Sequence, residues 1–226
     1  MGSIERRTPS PNDLEDVYER RRYATLFYVL LFTLLVLPIA TSVGLPAMLI
    51  KLLILGCLLA ALMPNAEGRN RLALFLIVLL LVLARAASEL SYLPIHPGYL
   101  VMLVGMIGLA AAGWTLASTI AARKVTSETI YAVLSTYLLA GIFFGQIYRG
   151  INLLSPESVV GPSPLTEQAA VYYSFVTLAT LGYGDFLPRS DVARGVATFE
   201  VIGGQLFLAV LVARLIGAFE EAPRTR

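Results

Sequence analysis

The feature that most constrains this chain is a series of apolar runs, each about 20 residues long, the length at which a helix crosses the hydrocarbon of a bilayer. Six runs read as membrane helices, at about Tyr23–Ser42, Pro46–Met63, Leu72–Leu93, Tyr99–Ala122, Thr129–Leu154 and Val192–Phe219. Of the 226 residues, 57% are hydrophobic and only 14% charged. A water-soluble globule cannot hide that much apolar surface, because part of every globule faces water. Proline and glycine punctuate the connections at Gly44-Leu45-Pro46, Pro64-Asn65 and Leu93–Gly98. A seventh apolar stretch, Ala169–Leu181, is too short to cross and follows Gly161-Pro162-Ser163-Pro164. That pattern predicts a helix that enters the membrane and turns back.

Orientation follows from lysine and arginine near the span ends. Arg6, Arg7, Arg20, Arg21 and Arg22 precede the first run; Arg69 and Arg71 lie in the second connection, and Arg123 and Lys124 in the fourth. The first and third connections carry none. Both termini are therefore expected in the cytoplasm, with the re-entrant stretch facing outside, in a multi-pass protein of the cell membrane. The first run starts after about twenty polar residues and reads as a retained anchor, not a cleaved signal. Asn12–Arg22 reads as a short interfacial helix or a frayed tail, with Arg20, Arg21 and Arg22 placed to meet anionic headgroups. A net charge of +2 gives no footprint for nucleic acid. The lone Cys57 has no disulfide partner, and the lone His96 lies in a turn.

The chemistry concentrates in Thr177-Leu178-Ala179-Thr180-Leu181-Gly182-Tyr183-Gly184-Asp185. A cation shedding its water inside a membrane needs replacement oxygens at close range, and backbone carbonyls supply them without a full charge that would trap it. Aiming successive carbonyls at one axis requires backbone angles that glycine tolerates, which accounts for Gly182 and Gly184 around Tyr183. Thr180 adds a hydroxyl below the lowest carbonyl, and the Tyr183 ring points away, free to brace the strand against surrounding helices. One chain offers one strand, so a closed ring needs several copies, most simply four. The preceding helix, Glu167–Ala179, has Ser163 or Thr166 as its cap and Glu167 in its first turn. Its carboxyl end directs partial negative charge at the cavity below, which favours a cation.

Thr180 through Asp185 resembles the filter of the pore-loop potassium-channel superfamily, and the resemblance extends from about Thr129 to Phe219. It implies potassium ions held by the carbonyls of Thr180, Leu181, Gly182 and Tyr183, no other cofactor, and three identical partner subunits. It matches Tyr172 and Tyr173 to the aromatics that cuff the filter, Asp185 to the carboxylate above it, and Gly204 to the inner-helix hinge. By the same resemblance Gln205, Leu208, Val212 and Ile216, which share one helical face, line the cavity and its cytoplasmic mouth. The chain departs from the family at Ala179, where threonine is common, at Leu181, where valine or isoleucine is usual, and at Val176, where some relatives carry a glutamate.

Three further readings concern residues at membrane depth. Glu200 is costly there unless paired, protonated or reached by water, and a structural bond to the re-entrant helix is expected before a gating role. The pair Gly203-Gly204 either hinges a gate or permits close packing. Lys51, Arg85 and Glu89 fall at similar depth and suggest a structural charge cluster, with Arg85 and Glu89 four apart on one face. The fourth run contains no arginine ladder, so no conventional voltage sensor is expected.

The expected architecture is an all-α membrane protein: six transmembrane helices, a re-entrant pore helix and a filter, assembled as a homotetramer. Residues 1–22 form a cytoplasmic segment, 23–124 a voltage-sensor-like unit without gating charges, and 125–226 the pore domain. The expected function is passive potassium conduction. A weakly selective cation channel and a potassium transporter subunit are the alternatives, and no catalytic constellation suggests an enzyme. So few residues follow the last run that a cytoplasmic ligand-binding domain is not expected.

Overall fold

A computed structural model describes residues 11–43, 96–121 and 127–220. Five helices and one two-stranded ladder make up this part: α1 (Pro11–Ser42), α2 (Pro97–Ala121), α3 (Ser127–Leu154), β1 (Val159–Val160), α4 (Glu167–Leu178), β2 (Leu187–Pro188) and α5 (Asp191–Glu220). Among the described residues three helices are long and apolar enough to cross a membrane, within α2, α3 and α5, and α1 contributes the shorter apolar stretch Tyr23–Val36. The second and third expected spans, with Cys57, Lys51, Arg85 and Glu89, lie outside the described residues, as do the side chains of Arg20, Arg21 and Arg22.

The N-terminal segment differs from expectation. It is neither a separate interfacial helix nor a tail, because α1 runs unbroken from Pro11 into the first apolar run. No glycine or proline intervenes between Asn12 and Leu37 to stop it.

α3 is the hub. Glycines let α2 lie close along it: a Cβ at Gly105 would stand 2.8 Å from the Phe143 carbonyl oxygen, and one at Gly108 would strike the Phe143 ring. Such small-residue seams are how helices pack where lipid removes the hydrophobic drive between them. α1 crosses the start of α3, where the Tyr23 amide donates to Glu128 (3.1 Å) and the Tyr28 and Tyr131 hydroxyls meet at 3.3 Å. On another side α3 takes α4: a Cβ at Gly145 would fall 2.7 Å from the Val171 Cα. Leu30, Leu139, Ile142, Phe143 and Val171 are buried in the resulting core. The C-terminal half of α5 is tied to α2 where Arg214 Nη1 donates to the Thr119 carbonyl (3.1 Å).

The ladder is a feature that hydropathy did not announce. β1 and β2 pair antiparallel, Val159 opposite Pro188 and Val160 opposite Leu187, so the segment before α4 is fastened to the segment after residues 180–185. The Arg189 amide donating to the Ser158 carbonyl (2.7 Å) extends the clasp, and Phe186 packs over Gly161.

Candidate functional site

The site is built from the end of α4 outward. Thr166 adopts an extended conformation and its hydroxyl accepts from the Ala169 amide (3.2 Å), which makes it the N-cap of α4. Glu167 follows in the first turn, where a carboxylate complements the helix dipole. At the other end, Thr180 N donates to the Thr177 carbonyl and Leu181 N to the Val176 carbonyl, both at 2.9 Å. This pair of bonds closes helices whose next residue is left-handed, a place usually held by glycine. Here it is held by Thr180, with φ of 56°. A β-branched residue in that region costs about 1–2 kcal/mol.

Positive φ then recurs at Gly182 (57°) and Gly184 (77°). Left-handed residues therefore alternate with ordinary ones from 180 to 184. Such alternation turns successive peptide units in the same sense, so that carbonyls can share one side of an extended strand. A Cβ on Gly182 or Gly184 would meet nothing within 4 Å among the described residues, so within this chain it is the backbone angle that calls for glycine. Thr180, Leu181, Gly182, Tyr183, Gly184 and Asp185 are all exposed in the single subunit. Tyr183 is 66% exposed, so any helix its ring braces against must come from outside this subunit's described residues.

The two tyrosines before the filter diverge. Tyr173 is buried and meets Tyr148 edge-on at 4.7 Å, whereas Tyr172 is exposed and lies edge-on to Phe186 at 6.3 Å. Asp185 faces the Tyr172 hydroxyl. Val176 is buried in α4, and Ala179 is exposed at the helix end.

α5 passes beside this segment and touches it in successive turns. Glu200 is fully buried; its carboxylate accepts from the Tyr148 hydroxyl of α3 (2.7 Å) and from the Ser174 hydroxyl of α4. One turn later, Gly204 lies so close that a Cβ would stand 2.6 Å from the Leu178 carbonyl oxygen. Gln205 Nε2 then donates to Thr180 Oγ1 at the limiting distance of 3.5 Å. Gly203, by contrast, faces open space, and α5 runs through both glycines as one helix. Leu208, Val212 and Ile216 are exposed along the rest of the face that begins at Gln205.

Sequence reasoning singled out Glu200 and expected a bond to the helix before the 180–185 segment, which Ser174 of α4 supplies. It named neither Ser174 nor Tyr148, which are 26 and 52 residues away, because each is one of several hydroxyls in its helix. Among the described residues no group of histidine, cysteine or carboxylate side chains is arranged to hold a metal ion.

Comparison with known proteins gives the class first. Residues 132–221, spanning α3 to α5, match a family described as "Ion channel", a family of channels and not of enzymes. Particular relatives follow. A protein of Rhodopseudomonas palustris, provisionally named a potassium channel protein, is 37% identical over 57 residues, covering 25% of this chain and 14% of the relative. The human voltage-gated potassium channel regulatory subunit KCNG1 is 26% identical over 116 residues, 51% of this chain and 21% of the relative. Protein LctB of Bacillus caldotenax is 27% identical over 119 residues, 49% of this chain and 87% of the relative. The chain thus spans about a fifth or less of the length of the first two relatives. No solved structure matches it significantly.

Proposed function

We propose that this chain is one subunit of a homotetrameric potassium channel, with the carbonyls of Thr180, Leu181, Gly182 and Tyr183 replacing the ion's water. The observation that carries this reading is the alternation of positive φ at Thr180, Gly182 and Gly184, at the mouth of a capped re-entrant helix. Non-helical peptide groups are not tolerated against lipid, yet this strand is exposed in the single subunit. Enclosure by further copies around a watery axis satisfies both conditions, and fourfold closure is the arrangement the resemblance implies. Potassium moves passively, from site to site. The names of the Rhodopseudomonas and human relatives support potassium as the permeant ion. Six spans, cytoplasmic termini and the absence of voltage-sensing arginines complete the reading, together with the charge cluster of Lys51, Arg85 and Glu89 and lipid contacts at Arg20, Arg21 and Arg22.

The test is potassium flux into liposomes carrying the purified full-length chain. The wild type is expected to load potassium against excess external sodium. Gly182→Ala is expected to abolish the flux, since the added Cβ opposes a φ of 57° at about 1 kcal/mol in each subunit. Equal sodium and potassium uptake would move the assignment to a weakly selective cation channel, and undiminished flux in Gly182→Ala would overturn the filter assignment.

A further inference from the structure

We infer that the Glu200 carboxylate is a latch that holds the ion-conducting strand in its conducting form through α4. The inference rests on the conduction reading and concerns its regulation. Three elements meet at this group: α5 supplies the carboxylate, α4 the Ser174 hydroxyl and α3 the Tyr148 hydroxyl, and all three side chains are fully enclosed. A buried hydrogen bond is costly to break, because the orphaned partner finds no water.

The placement gives the bond its consequence. Ser174 sits one turn before Leu178, whose carbonyl crowds Gly204, and Leu178 precedes Thr180 by two residues. At Glu200, Gly204 and Gln205, α5 is therefore held against the filter-bearing segment, whereas a Cβ at Gly203 would meet nothing within 4 Å among the described residues. Movement of α5 before Gly204 drags Ser174 and the end of α4 with it, and movement after Gln205 does not. With the latch closed, rearrangement of α5 is confined to its cytoplasmic part, and the filter is insulated from it. With the latch open, α4 can shift and the strained left-handed Thr180 can relax, ending conduction.

Single-channel recording of the full-length chain in planar bilayers tests this, comparing the wild type with Ser174→Ala, Tyr148→Phe and Glu200→Gln. Ser174→Ala and Glu200→Gln should each shorten conducting bursts about tenfold, the scale of one lost buried hydrogen bond. The potassium-over-sodium reversal potential should not change. The Ser174→Ala/Glu200→Gln double variant should be no worse than Glu200→Gln alone, as two members of one bond require. Raised potassium should lengthen the shortened bursts, because bound ions favour the strand that holds them; a general folding defect would not respond so. Wild-type bursts in both Ser174→Ala and Tyr148→Phe would overturn the latch, as would summed effects in the double variant. If Glu200→Gln fails to assemble, the two hydroxyl variants still decide. A wild type that passes no potassium overturns the conduction reading and the latch together, whereas a selective wild type with unaltered variants overturns the latch alone.

Discussion

α3 and α5 are both apolar and long enough to span a membrane, yet they live in opposite surroundings. In the most apolar window of α3, 67% of residues are buried within the subunit; in that of α5 the share is 11%. α3 is covered by α1, α2 and α4, while α5 presents Phe199, Ile202, Leu206, Val210 and Val212 outward. Hydropathy alone cannot separate these cases, because lipid and protein neighbours demand the same apolar side chains. The contacts separate them: α3 gathers α1, α2 and α4 around it, and most of α5 is left uncovered by the described residues.

Three substitutions bear on that contrast. The largest expected effect is on assembly. Leu206→Asn, on the bare side of α5, should leave the subunit folded while removing about 1.5–3 kcal/mol of apolar burial from each interface that covers it. Light scattering in detergent should then show the oligomer replaced by smaller species, and an unchanged oligomer would assign that face to lipid. Next comes Gly145→Ala in α3, whose Cβ would press on the Val171 backbone. It should lower the thermal midpoint by the equivalent of about 1–3 kcal/mol, the usual cost of overpacking, by separating α3 from α4. An unaltered midpoint would show that the α3–α4 seam is looser than its geometry implies. The smallest effect has the opposite sign. Gln146 is fully buried in α3, and neither its amide nitrogen nor its oxygen has a hydrogen-bond partner among the described residues. Gln146→Leu should raise the midpoint by about 1 kcal/mol, the cost of an unsatisfied buried polar group; a fall would reveal that the amide has a partner in the assembled protein.

How much of this was legible depended on whether the signal was local. The backbone turns at Gly182 and Gly184 were legible because they are written in adjacent letters: glycine at those positions is a direct request for positive φ. The cap of α4 was legible for the same reason, and the structure chose Thr166 over Ser163. Thr180 was not, since nothing about a β-branched residue advertises a left-handed backbone; the hydrogen bonds of its own amide and of the Leu181 amide accompany it. The Glu200 site was half legible. A carboxylate at membrane depth announces that it needs partners, but not that they are a serine on one helix and a tyrosine on another. The continuity of α1 was missed because a change in polarity at Arg22 was taken for a change in structure. Backbone winding follows stop signals, and the sequence contains none there.

Thr180 is at once the final fastening of a helix and the first rung of the strand that follows. No spare link separates the two, so the winding of one dictates the phase of the other. One amino acid added or removed between Thr177 and Gly184 would rotate every later peptide unit to the wrong side, whereas the exposed residues Pro162 and Ser163 lie outside any helix or strand, where such a change is more easily absorbed. The chain tolerates editing before the helix begins and forbids it once the helix ends.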